Sequence, residues 1–167
     1  MTIVRTLKHW FTTPGAVRRA FPEPVLARIR DSIAASEIRH SGEIRFAVEA
    51  SLPWSYLRRE APARERAQMM FSKLRVWDTA ANNGVLIFLE LADHQIELVV
   101  DRGIGALVDA AQWHAIAATM RDAFRRGRFE EGAMAGVQAV GDLLAQYFPL
   151  APGEHNPNEL PDRPVVL

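Results

Sequence analysis

The segment from Asn82 to Gly103 constrains the fold most, because its pattern is that of two β-strands joined by a tight turn. Residues 85–91 form a nearly continuous apolar run after Asn82-Asn83-Gly84, which is typical of a strand covered on both faces. Residues 96–101 alternate between apolar and polar side chains, and only residues 92–94 or so separate the two runs. The sequence therefore predicts a β-hairpin whose first strand is central in a sheet.

A third strand and a helix precede this hairpin. Apolar and polar side chains alternate over residues 43–50, which predicts a strand with one polar face, formed by Glu43, Arg45 and Glu49. Residues 54–61 form a connection, and a helix then begins at Pro62 and carries apolar side chains at helical spacing as far as Trp77. A strand, a helix and a strand in this order predict a right-handed crossover between parallel strands. With the antiparallel hairpin, this makes a small mixed sheet.

Helices account for most of the remaining chain. The apolar spacing predicts helices over about 23–39, 112–126 and 130–148, with a short helical turn at 106–109. Glycine at 132, 136 and 141 in the last helix indicates close helix packing, because glycine inside a helix otherwise costs about 1 kcal/mol relative to alanine. The fold class is therefore α/β with C-terminal helices.

The chain divides into one domain and two flanking segments. Residues 1–22 form a basic and aromatic arm, residues 23–150 the α/β domain, and residues 151–167 a proline-rich tail that should be extended and free of helix. The arm has two interpretations. It either packs its aromatic side chains on the domain or makes a peripheral contact with an anionic membrane surface or a partner.

Composition excludes several classes of protein. Twenty basic and twenty acidic residues give no net charge, which argues against a nucleic-acid partner. Cysteine is absent, so disulfides and thiolate chemistry are excluded, in agreement with a reducing compartment. No apolar stretch is long enough to span a bilayer, and the N-terminus lacks the apolar core of a secretory signal. We therefore expect a cytoplasmic protein.

Motifs for common cofactors and nucleophiles are also missing. Gly103-Ile104-Gly105 resembles part of a dinucleotide fingerprint, but Val108 stands where the third glycine belongs. The sequence contains no Walker motif, no G-x-S-x-G and no H-E-x-x-H. We therefore expect no nucleotide or organic cofactor.

Topology predicts one polar edge of the sheet. Parallel strands start at the same edge, and the antiparallel third strand ends there. Glu43 and Asp101 should therefore lie near one another, and their oxygens suit Ca²⁺ or Mg²⁺. Alternatively, they form ordinary ion pairs with Arg45 and Arg102. The other residues that topology places near this edge are His40, Ser41, Asp78, Thr79, Asn82 and Asn83.

Several short segments together resemble one known family. They are Ser41-Gly42-Glu43-Ile44, Thr79, residues 82–87 (NNGVLI), Asp101-Arg102-Gly103-Ile104, Trp113, Gly141 and Phe148-Pro149. In this combination the chain resembles the TPM-domain family, named for thylakoid-lumen, photosystem II-associated and acetylcholine-receptor-auxiliary proteins. The resemblance covers about residues 23–150 and fits a branch without a signal peptide or membrane anchor.

The resemblance implies a three-layer α/β/α sandwich and leaves two functions open. Family members are associated with calcium binding, with acid-phosphatase activity and with the assembly or repair of membrane complexes. The first function is a non-enzymatic accessory domain that binds another protein or a membrane-complex component, with a divalent cation such as calcium at the polar edge. The alternative is a metal-dependent acid phosphatase. In it Glu43 and Asp101 would hold the ion, Asn83 would orient it or the phosphate, and Arg102 or Arg45 would offset the phosphate charge.

Overall fold

A four-stranded mixed sheet forms the centre of the protein. The computed structural model describes the backbone of residues 3–167 and the side chains of residues 7–167. The spatial order of the strands is β3-β2-β1-β4. Strand β1 is parallel to β2 and to β4, and β2 is antiparallel to β3, so the predicted mixed sheet is confirmed. The strands are β1 (Glu43–Glu49), β2 (Gly84–Glu90), β3 (Gln95–Val100) and β4 (Val165–Val166).

Helices cover both faces of the sheet, which confirms the three-layer arrangement. Helices α2, α3, α7 and α8 pack on the face that carries Ile44 and Ile87. Helix α5 and the C-terminal tail pack on the face that carries Ala47 and Phe88. The helices are α1 (Ile3–Phe11), α2 (Pro14–Ala20), α3 (Glu23–Glu37), α4 (Trp54–Arg58), α5 (Ala63–Lys73), α6 (Arg102–Gly105), α7 (Ala110–Arg125) and α8 (Phe129–Tyr147).

The glycines of α8 allow two helices to approach closely. A Cβ atom on Gly141 would lie 1.9 Å from Ser36 Oγ in α3, and one on Gly136 would lie 2.3 Å from Met120 Sδ in α7. Real Cβ contacts are never so short, so a larger residue at either position would require the Ser36 or Met120 side chain, or the helix that carries it, to move. The interpretation of these glycines as packing positions is confirmed.

The polar face of β1 differs from the expectation, because it is buried. Glu43 is 0 % exposed, and Arg45 and Glu49 are each 6 % exposed. The causes are helix α5, whose Arg66 binds Glu49, and the tail, which contains no helix and returns to the sheet, where β4 pairs with Ala47 and Val48 of β1. A strand with an alternating sequence is therefore covered on both faces.

Three local predictions were wrong or incomplete. Helix α5 ends at Lys73, because Arg75 adopts φ +56° and turns the chain, and Trp77 is half-exposed instead of lying on a buried helix face. The predicted helical turn at 106–109 lies earlier, as α6, because Asp101 caps it. The connection 54–61 contains the short helix α4.

The N-terminal arm forms two helices, and the second of them packs on the domain; a contact with a membrane surface or a partner stays a prediction. Val17 and Phe21 are buried in the core, whereas Trp10 and Phe11 are each 76 % exposed. The side chains of Ile3, Val4 and Arg5, which the sequence assigns to the same arm, lie outside the described residues. In the part of the chain that the structure describes, no helix has both the length and the apolar character needed to cross a membrane.

Leu89→Ala should destabilise the protein by on the order of 2 to 5 kcal/mol, because it leaves a cavity in the central strand. Leu89 is fully buried and pairs with Val48 on one side and Ile96 on the other. The measurement is urea unfolding followed by circular dichroism. Leu107→Ala is the control, since Leu107 is half-exposed and its loss should cost less than about 0.5 kcal/mol. Equal midpoints for the two variants would contradict the central position of β2.

Candidate functional site

The strand register brings the predicted polar edge together. Glu43 of β1 pairs with Gly84 of β2. On the other side of Gly84, the backbone N–H of Asp101 donates to Gly84 O at 2.9 Å. Glu43, Gly84 and Asp101 therefore form one row across the start of the sheet, and side chains in such a row share a face.

Glu43 is engaged by the C-terminal tail. Its Oε1 accepts the N–H of Glu159 at 3.0 Å, and its Oε2 accepts the N–H of Leu160 at 3.1 Å. Burial raises the pKa of Glu43, and these two hydrogen bonds oppose that rise. Both carboxylate oxygens therefore hold the tail on the sheet, a role that the sequence analysis missed because no pattern in the tail points to a partner.

The main chain of Val76 separates Glu43 from Asp101. A Cβ atom on Gly84 would lie 2.0 Å from Val76 O, so this carbonyl occupies the space above Gly84 on the face that the row shares. The arrangement does not favour one ion held by both carboxylates. A cation at this edge stays a prediction.

Asp101 and Asn83 each keep one buried oxygen without a donor. Asp101 is 8 % exposed; its Oδ1 caps α6 by accepting the N–H of Arg102 at 2.7 Å, and its Oδ2 has no hydrogen-bond partner. Asn83 is fully buried; its Nδ2 donates to Ser41 Oγ at 3.3 Å, and its Oδ1 has no partner. Buried polar oxygens are normally satisfied, so these two are the atoms of this edge that can take a ligand.

Thr79, Asn82 and Arg102 support the same edge. Thr79 Oγ1 accepts the backbone N–H of Asn83 at 3.1 Å and so fixes the chain before β2. Arg102 Nε donates to Asn82 Oδ1 at 3.3 Å on the outer surface. The sequence analysis placed all three residues here, and the structure brings them together.

Three other residues of the predicted edge have separate roles. Both ring nitrogens of His40 have partners, Ser36 Oγ at 3.0 Å and Gly42 O at 3.1 Å, and burial lowers the pKa of His40 to about 4. Asp78 lies at the surface in an ion pair with Arg75 at 2.5 Å. Arg45, the third, is buried and donates to the tail carbonyl of Arg163 at 3.2 Å.

A buried carboxyl that the sequence analysis missed lies beside Glu43. Glu37 of α3 is 5 % exposed, and its Oε1 accepts the N–H of Ile44 at 3.0 Å. Burial, opposed by the hydrogen bond from Ile44 and assisted by the nearby charges of Glu43 and Asp162, raises the pKa of Glu37 to about 8. Glu37 is therefore protonated at neutral pH in the folded protein. No periodicity marks it, because its neighbours come from β1 and the tail.

A histidine and two acidic residues meet at the opposite end of the sheet. Potential ligand atoms of His9, Glu90 and Asp93 lie within 4.8 Å of one another. His9 Nδ1 accepts the N–H of Leu52 at 3.1 Å, so Nε2 carries the proton and donates to Asp93 Oδ2 at 3.0 Å. A metal ion on Nε2 would have to replace that proton. This group therefore serves to anchor α1 on the domain.

Glu37→Gln should weaken the pH dependence of stability between pH 6.5 and 8. A carboxyl whose pKa is raised from 4.5 to about 8 by folding holds a proton that the unfolded chain releases, so stability falls as pH rises through this window, by at most about 1.4 kcal/mol per pH unit. His40, whose pKa folding lowers from 6.5 to about 4, acts in the opposite direction near pH 6.5, because the unfolded chain still binds its proton there. The parent protein and the variant both contain His40, so the difference between them reports Glu37. The measurement is urea unfolding at pH 6.5 and 8.

Glutamine keeps an oxygen for the N–H of Ile44, so the variant should fold. Asp31→Asn is the matched control, because Asp31 lies exposed on the same helix and should leave the pH dependence unchanged. A Glu37→Gln variant with the same loss of stability from pH 6.5 to 8 as the parent protein would refute the assignment.

Comparison with known proteins supports the resemblance seen in the sequence. The family model described as TPM domain matches residues 19–143. The NMR structure of BA42 protein from the psychrophilic bacterium Bizionia argentinensis is similar, with a TM-score of 0.74 and 28 % identity over 86 % of this chain and 93 % of that one. A search of curated proteins finds no match. Because the family model spans most of its length, the chain belongs to the TPM domain family.

Proposed function

We propose that the protein is a non-enzymatic accessory domain of TPM type that binds a divalent cation at its polar edge through Asp101. The observation that carries this proposal is Asp101 Oδ2, a buried carboxylate oxygen without a hydrogen-bond donor. Leaving such an oxygen unpaired costs free energy, which a cation at this position would offset.

The other oxygen atoms of this edge favour one type of ion. Asn83 Oδ1 is a second buried oxygen without a donor, and the neighbouring side chains of Ser41 and Thr79 offer hydroxyl groups. An all-oxygen set without histidine or cysteine suits Ca²⁺ or Mg²⁺ better than a transition metal. Glu43 is not a ligand in this proposal, because the N–H groups of Glu159 and Leu160 occupy its oxygens.

The acid-phosphatase alternative is less well supported by the geometry. Phosphomonoester hydrolysis needs a group that can protonate the leaving oxygen, and His40, the histidine of this edge, has partners on both ring nitrogens. Of the two arginines predicted to contact phosphate, Arg45 is buried and bound to Arg163 O. Arg102 alone remains at the surface for that role.

The exposed face of α1 is the part of this domain that we propose for partner contact. Trp10 and Phe11 are adjacent and each 76 % exposed. Lys8, Arg18 and Arg19 are also exposed on α1 and α2. Aromatic side chains beside basic ones are typical of a peripheral contact with an anionic membrane surface. The His9 contacts with Leu52 and Asp93 described above hold α1 in place, so the aromatic pair is presented outward.

Titration of metal-free protein with Ca²⁺ or Mg²⁺ should show binding by isothermal calorimetry, and Asp101→Asn should weaken it by about tenfold or more, because one formal charge is lost. Asp109→Asn is the control, since Asp109 also caps a helix, α7, by accepting the N–H of Ala111 at 2.8 Å, but is exposed. Asparagine is also a favoured N-cap residue, so the two variants should keep the caps of α6 and α7.

Glu43→Gln separates this proposal from the shared site predicted from topology. We expect unchanged cation affinity, whereas an ion held jointly with Asp101 would be lost. Hydrolysis of p-nitrophenyl phosphate by the cation-loaded protein would establish the phosphatase alternative instead. If neither Ca²⁺ nor Mg²⁺ gives binding heat, the cation proposal is refuted.

Trp10→Ser combined with Phe11→Ser should reduce co-sedimentation with phosphatidylserine vesicles by about tenfold or more, because two apolar rings no longer enter the headgroup region. Trp54→Ser is the control, since Trp54 is a half-exposed tryptophan on α4. Uncharged phosphatidylcholine vesicles should bind the parent protein weakly. Equal sedimentation of the parent and the double variant would exclude this surface as the membrane contact.

A further inference from the structure

A cavity lies between the edge strand β3 and helix α7. It has a volume of about 770 Å³, and its lining includes Ile96, Leu98 and Val100 from β3 and Trp113, Ala117 and Arg121 from α7. A space of this size falls within the range of small-molecule sites. Its walls are apolar in the middle and polar at both ends of the α7 side.

Two residues that line this cavity each carry a buried N–H donor without an acceptor. Trp113 is 7 % exposed, and its indole N–H has no partner. Arg121 Nε is buried and also has no partner, and no ion pair involves Arg121 within residues 7–167. Because buried indole and guanidinium N–H groups normally find acceptors, a ligand with acceptor atoms would complete this site.

The two donors lie at opposite ends of an elongated space. Trp113, Ala117 and Arg121 occupy one face of α7, and the outer two are separated by about 12 Å along the axis. A Cβ atom on Gly105, before α7, would lie 3.2 Å from Val100 Cγ2. Phe129, after α7, contacts the ring of His94 at a centroid distance of 6.3 Å. Helix α7 therefore runs antiparallel to β3, with Trp113 near Val100 and Arg121 near Ile96.

Charge distinguishes the two ends. Arg64 lies 3.4 Å from Glu97, so these two charges of the lining offset one another. Arg121 is left as the cation that a ligand can pair with, and a carboxylate is a suitable partner for a guanidinium. The Trp113 end offers a neutral donor, for which a hydroxyl or carbonyl oxygen is sufficient.

Arg64 also disfavours a peptide as the occupant. Its Nη1 donates to Leu98 O at 2.6 Å. Because the N–H of Asp101 donates to Gly84 O, the alternation of an antiparallel pair directs the N–H and C=O of Leu98 outward to the free edge of β3. A peptide that added to this edge as a strand would have to displace Arg64.

We propose that this cavity binds a medium-chain carboxylic acid that carries a hydroxyl or carbonyl oxygen at its far end. The carboxylate pairs with Arg121, the alkyl chain lies along Ile96, Leu98 and Val100, and the far oxygen accepts the indole N–H of Trp113. This site is independent of the cation proposed at Asp101 and of the membrane contact proposed for α1.

The test uses 8-hydroxyoctanoate, octanoate and 1,8-octanediol as probes, with the indole N–H signals of ¹⁵N-labelled protein as the readout. Trp113 is the buried one of the four tryptophans, since Trp10, Trp54 and Trp77 are 76 %, 55 % and 51 % exposed. We expect the Trp113 signal alone to shift. Affinity should fall at least tenfold from 8-hydroxyoctanoate to 1,8-octanediol and severalfold from 8-hydroxyoctanoate to octanoate.

Two variants test which end of the ligand contacts Arg121 and which contacts Trp113. Arg121→Gln should lower the affinity for both acids by about tenfold or more and leave the diol unchanged. Trp113→Phe should remove the preference for 8-hydroxyoctanoate over octanoate, measured by calorimetry. Arg125→Gln is the matched control, because Arg125 lies exposed one turn later on α7 and pairs with Asp122 at 3.5 Å. If Trp113→Phe does not fold, the ligand series and Arg121→Gln decide the question.

Four results would overturn the proposal. They are a diol that binds as tightly as the hydroxy acid, an Arg121→Gln variant with unchanged affinity, equal shifts of all four indole signals, and no shift at any of them. A peptide that shifts the amides of Ile96, Leu98 and Val100 and binds more tightly to Arg64→Gln would assign the edge to strand addition instead.

Discussion

The structure depends on one buried carboxylate that holds the end of the chain against the start of the sheet. Glu43 is fully buried, and its two oxygens accept the N–H groups of Glu159 and Leu160. A buried carboxylate is costly unless hydrogen bonds satisfy it, and backbone N–H groups satisfy it without a counter-ion. The tail is thereby placed along β1, where Leu167 N donates to Val48 O at 2.9 Å. Burial of the polar face of β1, of Glu37 and of Arg45 follows from this position.

The same interaction determines what the polar edge can do. The edge is divided into two parts, because Glu43 binds the tail and the carbonyl of Val76 lies above Gly84, between Glu43 and Asp101. On the tail side, raised pKa values keep Glu37 protonated, and no additional cation is required there to balance it. On the α6 side, Asp101 keeps a side-chain oxygen without a hydrogen-bond donor. Two carboxylates that are equivalent by topology therefore have different chemistry, because one is next to the tail and the other is next to a helix N-terminus.

The predictable parts of this fold are those with local causes. The hairpin, the crossover and the long helices follow from periodicities that each strand or helix carries in its own residues. The packing role of Gly141 follows from the free-energy cost of glycine inside a helix. Topology likewise brought Asn83 and Asp101 to one edge. The position of the tail could not be predicted in this way, because residues 151–164 have no periodicity and their contact with Glu43 joins distant parts of the chain. The position of the Val76 carbonyl above Gly84 was missed for a different reason. The apolar helical pattern continues to Trp77 and hides the turn at Arg75.

Each edge of the sheet is partly protected by the chain itself. Beside β1, the two-residue strand β4 pairs with Ala47 and Val48. Beside β3, Arg64 binds the outward carbonyl of Leu98. Open strand edges are a usual route to association through the backbone, and these contacts oppose it at the positions they occupy. Side chains offer three further surfaces: the aromatic and basic face of α1, the oxygens near Asp101, and the Trp113 and Arg121 donors beside β3.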